Sequence, residues 1–189
     1  MTVYFEKPGP ENTAKVAELV EAKARELGIR HVVVASNTGF TARHFKGKGF
    51  HVVVVTHHVG FKEPGIDEMG PEVREELRRE GMDLLTQTHL FGNVERAVTS
   101  KYGGLYPGGI IANALRMFSQ GTKVAVEIAV MALDAGLIPY GEPVISVGGT
   151  SRGADTALVL KPSHAKTIFD TEILEIIAKP RSPKEKNNV

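Results

Sequence analysis

Two valine-rich runs dominate the hydrophobic pattern of the chain. HVVVA begins at residue 31 and HVVVVTHH begins at residue 51, and both are bounded by turn-forming residues. Continuous apolar runs of this length are typical of strands covered on both faces. A short helical segment over about residues 40–46 joins them, and such a crossover is what two parallel strands require. The pattern therefore predicts a β-α-β unit at the start of a parallel sheet.

The remaining periodicities extend this unit to a three-layer α/β/α sandwich. Helical spacing covers about residues 13–27, which Gly28 ends, and about residues 71–81, 93–102, 110–120 and 122–137. Strands are predicted at about residues 31, 51, 83, 144 and 155, while residues 171–179 suit a strand or a short helix. We expect a single α/β domain over residues 1–180, a disordered polar tail over 181–189, and a lid-like glycine-rich loop over 103–109.

The amino-acid composition argues against several classes of function. The 189 residues are 42% hydrophobic and 24% charged, as in an ordinary globular domain, and the 23 basic and 22 acidic side chains leave a net charge of +1. This near-neutral balance argues against nucleic-acid binding and against electrostatic attachment to membranes. The chain has no cysteine, so thiolate chemistry is absent. With no leader-like or membrane-spanning apolar run, we expect a cytoplasmic protein, and its apolar helices are compatible with a homo-oligomer.

Two loops carry the residues expected at a phosphate site. After a parallel strand, free N–H groups and hydroxyls at the start of a helix bind phosphate, and an arginine fork adds two donors. Both loops converge if their strands are neighbours. Turn formation and helix capping explain the same residue types without a ligand, and that alternative stays open. The predicted ligand-binding residues are Ser36, Asn37, Thr38, Gly39, Phe40, Thr41 and Ala42 in the first loop, His57 nearby, and Gly148, Gly149, Thr150, Arg152 and Gly153 in the second.

Other polar groups admit two interpretations each. His57, His58 and His89 follow strand ends, but adjacent strand residues point to opposite faces, so polar contacts or ring stacking are favoured over a metal site and no metal is predicted. Glu127 follows Lys123 by four residues, which predicts an exposed helical ion pair. Were that helix fully covered, Glu127 would need a partner. Lys101 and Arg116 could contact a second anionic group or only keep the surface soluble. No hydrolase or nucleotide-phosphate signature is present, and catalytic residues stay unassigned.

The two loops also carry a family likeness. The stretches HVVVASNTGFTARHF and GLIPYGEPVISVGGTSRGADTALVL resemble the C-terminal domain of pyruvate kinase, with Glu142 where that family usually has aspartate. The resemblance covers most of residues 11–161. It implies a mostly parallel five-stranded sheet of order 3-2-1-4-5 along the chain, with the last strand antiparallel. In that family the first loop holds the phosphate of an allosteric sugar phosphate, whereas the catalytic barrel has no counterpart here, so pyruvate kinase activity is not expected.

The whole chain is similar to stand-alone, uncharacterised archaeal proteins built on this domain and associated with flavin mononucleotide (FMN). The resemblance implies FMN as the ligand, and residues 36, 38, 39, 41 and 42 then match the phosphate loop while residues 149, 150 and 153 match the second loop. An aromatic wall from His57, His58, Phe61, Phe91, Tyr102 and Tyr106 is our own addition. Two alternatives remain: a flavin-dependent oxidoreductase acting on a small substrate, and a sugar-phosphate sensor that regulates a partner.

Overall fold

A computed structural model of the chain describes residues 1–182. They form one mixed sheet of seven strands in the order β1-β7-β6-β5-β2-β3-β4. The strands are β1 Val3–Phe5, β2 His31–Ala35, β3 His51–Thr56, β4 Asp83–Thr86, β5 Val144–Gly148, β6 Thr156–Lys161 and β7 Glu172–Pro180. The α-helices are α1 Thr13–Leu27, α2 Phe40–Arg43, α3 Pro71–Arg79, α4 Asn93–Tyr102, α5 Pro107–Arg116 and α6 Gln120–Asp134. Two 3₁₀ segments, Pro10–Asn12 and Ala165–Asp170, complete the described structure.

The sheet differs from the expected one in its number of strands. The five predicted strands are neighbours in the expected order, and β6 runs antiparallel to β5, but β7 and β1 extend the sheet beyond β6. Val3–Phe5 is too short to show a period, and the pattern of residues 171–179 suits either a strand or a short helix, of which the strand β7 forms. Arg181 continues the pairing, since its N–H donates to the Phe5 carbonyl at 2.8 Å. Of the predicted tail, residues 183–189 lie outside the described part of the chain.

The valine-rich strands are buried on both faces because successive side chains point to opposite sides. Val32 and Val34 pack in a cluster with α1 and α3, whereas Val33 packs in a second cluster with α6. All three valines have no exposed surface. The two clusters give the three-layer arrangement. β2, β3, β4 and β5 run parallel, so their carboxyl ends lie along one edge of the sheet.

Two elements at this edge differ from their predicted bounds. Helix α2 ends at Arg43, three residues before the predicted end. Helix α5 begins at Pro107, so the glycine-rich loop is shorter than expected and α5 includes Gly108 and Gly109. The carboxylate of Glu95 accepts from the N–H groups of both glycines at 3.3 Å, which supplies acceptors to otherwise unbonded donors at the start of α5. Within residues 1–182 no helix is both long and apolar enough to cross a membrane.

Candidate functional site

A cavity of about 1080 Å³ opens at the carboxyl edge of the sheet. Its walls come from the loops after β2 and β5, from the end of β3 and the segment that follows, and from α4, α5 and α6. The two predicted loops therefore lie on one cavity. The predicted residues that line it are Ser36, Asn37, Thr38, Phe40, Thr41, His57, Gly149, Arg152 and Gly153. Those that do not are Gly39, Ala42, Gly148 and Thr150.

The first loop presents donors that the protein itself does not use. Among residues 1–182, the N–H groups of Asn37, Thr38 and Gly39 make no hydrogen bond. The loop is held by its ends, because the Ser36 N–H donates to the Val55 carbonyl at 3.0 Å and the Ser36 hydroxyl accepts from the backbone N–H of residue 42 at 3.3 Å. The start of this loop is therefore a rigid set of unbonded donors.

Gly39 packs against α3 and does not line the cavity. Its φ of 82° lies in the left-handed region that favours glycine. A Cβ at this position would lie 2.5 Å from Cγ1 of Val73 on α3. Ala42, the last residue of the predicted loop, is fully buried in the core on the same face of the sheet. Both residues therefore support the loop from its core side, where neither lines the cavity.

The second loop is fixed by the fully buried carboxylate of Asp155. Its Oδ2 accepts from the N–H groups of Thr150 at 3.0 Å and Gly9 at 3.3 Å, and its Oδ1 accepts from the Thr156 hydroxyl at 2.8 Å. Burial raises the pKa of Asp155, although these hydrogen bonds act in the opposite direction. Asp155 thereby ties the loop to the N-terminal segment of the chain.

The glycines of the second loop allow backbone to pack on backbone. A Cβ on Gly148 would lie 2.3 Å from the Gly121 carbonyl oxygen in α6, and one on Gly149 would lie 2.3 Å from the carbonyl oxygen of Gly153. Gly153 has a φ of 73° and lies against Pro10. These contacts explain why glycine occupies these positions even without a ligand. Packing therefore explains more of the residue choices in the second loop than in the first.

Arg152 connects the two loops across the cavity. Its guanidinium carbon lies 4.7 Å from the centroid of the Phe40 ring, a cation-π contact. Within residues 1–182 the Arg152 side chain has no carboxylate partner. Its charge is therefore available to an anionic ligand beside the first loop.

His57 is held in one tautomer on the cavity wall. Oδ1 of Asn37 accepts from the His57 backbone N–H at 2.8 Å, so Nδ2 of Asn37 donates to the ring Nε2 at 3.1 Å. Nε2 therefore holds a lone pair, and Nδ1–H donates to Oε2 of Glu68 at 2.5 Å. The ring also stacks on Phe61 with centroids 3.7 Å apart. A ring so fixed is a platform for a planar ligand.

Glu68 was not predicted from the sequence. Burial, the largest single effect, raises the pKa of Glu68, but the Lys62 ammonium at 2.7 Å and the His57 ring together outweigh it and lower that pKa. The carboxylate is therefore held ionised behind His57.

The three histidines at the strand ends form a cluster of aromatic rings. The His89 centroid lies 5.3 Å from that of His57 and 5.9 Å from that of His58, and the Phe61 ring contacts all three histidines, with its centroid 5.6 Å from that of His89. Burial is the main cause that lowers the pKa of His89. Among residues 1–182 no group of three or more histidine or carboxylate side chains has an arrangement that would hold a metal ion. Of the proposed aromatic wall, His57, Phe61, Phe91 and Tyr106 line the cavity, whereas His58 and Tyr102 do not.

The prediction of an exposed Lys123–Glu127 pair is wrong. Lys123 is 8% exposed and Glu127 is 2% exposed, because α6 packs under the sheet with α5 and Phe91 beside it. The Lys123 ammonium donates to Oε2 of Glu127, and the N–H of Phe91 donates to Oε1 at 2.9 Å. Burial lowers the pKa of Lys123, while Glu127 opposes that shift. Both side chains line the cavity.

A signal for this buried pair exists in the sequence. Gln120, Lys123 and Glu127 recur at intervals of three and four residues through an otherwise apolar helix, which places them on one face. All three line the cavity. A polar stripe on a helix that is apolar elsewhere could have indicated a buried polar site. Arg96, by contrast, lies in a mixed helix with no distinguishing pattern.

Comparison with known proteins identifies the family. The profile described as pyruvate kinase, alpha/beta domain, matches residues 14–160, more than three quarters of the chain. The chain belongs to the pyruvate kinase alpha/beta domain family. The matched region contains β2 to β5, all of β6 except its last residue, and all six α-helices except the first residue of α1. The two additional strands, β1 and β7, lie outside it.

Solved structures similar to this family member include pyruvate kinases from Cryptosporidium parvum. One shares 17% identity over 73% of this chain and 20% of the kinase, with a TM-score of 0.40. Another, in complex with ADP, shares 16% identity over 93% of this chain and 25% of the kinase, with a TM-score of 0.41. A SAH-bound methyltransferase from Podospora anserina shares 10% identity over 69% of this chain and 50% of that protein, with a TM-score of 0.29. The chain thus spans a quarter or less of these two kinases, and the likeness carries no conclusion about function.

Proposed function

We propose that this protein binds a phosphorylated small molecule, with FMN as the first candidate, at the carboxyl edge of its sheet, and that these 189 residues have no pyruvate kinase activity. The observation that carries the proposal is that the N–H groups of Asn37 and Thr38 are unbonded among residues 1–182 and that both residues line the cavity. Thr38 and Thr41 add hydroxyls on the same wall. Arg152 lines the same cavity and adds a guanidinium. Amide, hydroxyl and guanidinium donors together are the groups that bind phosphate.

The flavin part of the proposal rests on size, on aromatic surface and on resemblance. A cavity of about 1080 Å³ is just above the range typical of small-molecule sites and is large enough for a flavin nucleotide. The stacked rings of His57 and Phe61 offer a flat surface to a fused ring system. The resemblance to stand-alone archaeal proteins associated with FMN favours flavin among phosphorylated ligands.

The first experiment compares FMN with riboflavin, which lacks the phosphate. We expect Thr38→Val and Thr41→Val each to weaken FMN binding roughly tenfold or more, since each removes a hydrogen bond to a charged group. Riboflavin binding should not change. Thr99→Val is the matched control, because Thr99 also lines the cavity but lies on α4, away from the loop. Affinity is measured by the quenching of flavin fluorescence.

Two results would contradict the proposal. Equal affinities for FMN and riboflavin would show that the phosphate does not contribute to binding. Equal effects of the Thr38 and Thr99 variants would show that the phosphate does not bind at the first loop.

Freshly purified protein that is yellow and releases FMN on denaturation would support flavin directly. If the purified protein contains flavin, anaerobic bleaching of that flavin by NAD(P)H would distinguish an oxidoreductase from a binding protein.

Family membership favours a second candidate, a sensor of sugar phosphates. The matched profile covers the loop that resembles the effector loop of pyruvate kinase. Competition between fructose phosphates and FMN for the wild-type protein separates the two ligands. Displacement of FMN at low sugar-phosphate concentration would favour the sensor.

A further inference from the structure

Helices α4, α5 and α6 each place a cationic side chain on the cavity wall, in addition to Lys62, which is paired with Glu68. Arg96 belongs to α4, Arg116 to α5 and Lys123 to α6. Both arginines are close enough to act on Lys123, since each contributes to lowering the pKa of Lys123, although burial has the larger effect. Glu127 pairs with Lys123, so the side chains without a direct anionic partner among residues 1–182 are Arg96 and Arg116.

Arg116 is held in position by neutral partners. Its Nε donates to Oε1 of Gln120 at 2.7 Å, and its Nη1 donates to Oδ1 of Asn113 at 3.0 Å. Within residues 1–182, Nη2 has no acceptor and the guanidinium has no carboxylate partner. The two amides therefore orient the guanidinium without neutralising it.

Lys123 supplies a buried ammonium with donors to spare. An ammonium has three N–H donors, and the described residues give this one a single acceptor, Oε2 of Glu127. The Phe91 ring lies 5.7 Å from Nζ, so its face adds only a weak electrostatic contact. A side chain that is 8% exposed can satisfy its remaining donors only from the cavity.

The carboxylates on the cavity wall are already engaged. Glu68 is paired with Lys62 and the His57 ring, Glu95 accepts from two N–H groups of α5, and Glu127 accepts from Lys123 and from the Phe91 N–H. Among residues 1–182, Arg96 makes neither a hydrogen bond nor an ion pair through its side chain. Within the described residues, Arg96 and Arg116 therefore have no carboxylate in direct contact with their guanidinium groups.

We propose that Arg96, Arg116 and Lys123 form a second anion-binding subsite in this cavity, which takes the carboxylate or phosphate of a small acid separate from the molecule held by residues 36–42. The subsite shares the cavity with the proposed flavin site but does not depend on FMN. In a cavity that does hold FMN, the acid bound here would be a candidate substrate for a flavin-dependent oxidoreductase.

The experiment follows arginine side-chain Nε–H signals and backbone amide signals of the whole protein in ¹H–¹⁵N spectra. Inorganic phosphate and succinate are titrated separately at constant ionic strength. We expect the Nε–H signals of Arg96 and Arg116 to shift with a saturable curve for at least one probe. Arg30 and Arg78 are the internal controls, since both are exposed and neither makes an ion pair within the described residues.

Variants assign the shifts to the subsite. Arg96→Gln combined with Arg116→Gln should weaken the binding of the probe at Lys123 and its neighbours roughly tenfold or more. Arg30→Gln combined with Arg78→Gln removes the same charge and should leave that binding unchanged. A response to succinate assigns a carboxylate to the subsite, and a response to phosphate alone assigns a phosphate.

The proposal is overturned if Arg96 and Arg116 shift no more than Arg30 and Arg78, or if the two double variants weaken binding equally. Failure of the flavin proposal gives a different result. In that case the backbone amides of residues 37–41 do not respond to phosphate or FMN, whereas the arginine signals still do.

Discussion

The loop after β2 and the loop after β5 have similar compositions and different uses. In the first, the backbone N–H groups of residues 37–39 are unbonded within the described residues, and Asn37 and Thr38 line the cavity. In the second, Asp155 accepts from the Thr150 N–H, and the glycines lie against α6 and the N-terminal segment. Small residues leave room for a ligand in one loop and for other parts of the protein in the other.

This difference shows that glycine and hydroxyl content alone does not indicate a binding loop. What matters is whether the donors are already bonded when the chain folds. In the second loop the N–H groups of Thr150, Arg152 and Ala154 are bonded within the protein. Among residues 1–182 the N–H groups of Gly149, Ser151 and Gly153 are not bonded, and these residues line the cavity with Arg152. Because Asp155 and the glycines of this loop have structural contacts, we expect substitutions at those positions to affect mainly stability, and substitutions at the hydroxyls of the first loop to affect mainly ligand affinity.

The largest expected effect is that of Asp155→Ala. It leaves two N–H groups and the Thr156 hydroxyl without their acceptor, which we expect to reduce the free energy of unfolding by about 3–5 kcal/mol. Asp155→Asn is the matched variant, since its amide oxygen can still accept from both N–H groups, and it should cost about 1 kcal/mol. Urea unfolding measures both. Equal losses in the two variants would show that these hydrogen bonds do not hold the loop.

Gly39→Ala should have an intermediate effect on stability. The left-handed backbone and the contact with Val73 should together lower the free energy of unfolding by about 2–3 kcal/mol. Val73→Ala removes the atom that the new Cβ would meet. In a double-mutant cycle the two substitutions should show a favourable coupling of about 1 kcal/mol. If the effects of the two substitutions are additive, the whole loss of stability in Gly39→Ala comes from its left-handed backbone conformation.

The pH dependence of the free energy of unfolding should show the raised pKa of Asp155. Because burial raises its pKa in the folded protein, the folded chain binds this proton more tightly than the unfolded chain does. Its contribution to stability is therefore full below the ordinary aspartate pKa and is lost as pH rises through the raised value. The stability of wild type relative to Asp155→Asn should fall across that window, measured by urea unfolding at a series of pH values. A constant difference would contradict the raised pKa.

The smallest expected change in stability is at the hydroxyls of the first loop. Within residues 1–182 the Thr38 and Thr41 hydroxyls make no hydrogen bond, so Thr38→Val and Thr41→Val should change the free energy of unfolding by no more than about 0.5 kcal/mol. The same variants are expected to lose FMN affinity. Thermal unfolding without ligand provides the check, and a loss as large as that of Asp155→Ala would make this loop structural as well.

Much of the fold could be predicted because its signals are local. The valine runs, the helix over Thr13–Leu27 and its glycine stop each depend on neighbours within a few residues. Val3–Phe5 could not be predicted, since three residues show no period and the strand exists only through its pairing with β7. The bounds of α5 were missed for a related reason, because the carboxylate that caps it lies on another helix.

For the candidate site, local sequence was informative about residue types and uninformative about their partners. Ser36, Thr38 and Arg152 were expected at one edge of a sheet, and all three line the cavity. Glu127 was expected on an exposed face and is buried, because the spacing of a helix does not show which neighbours cover it. Whether these residues bind FMN stays a prediction for the riboflavin comparison.

The sequence by itself determined the order of elements, the two-sided burial of the valine strands and the polar character of the loops that follow them, because each depends on nearby residues and on backbone preferences. Only the tertiary structure decided which donors stay unbonded, which glycines pack against backbone, and that Arg96, Arg116 and Lys123 lie on one wall. These features depend on contacts between residues far apart in the chain, and such contacts form only when the sheet brings its carboxyl ends together.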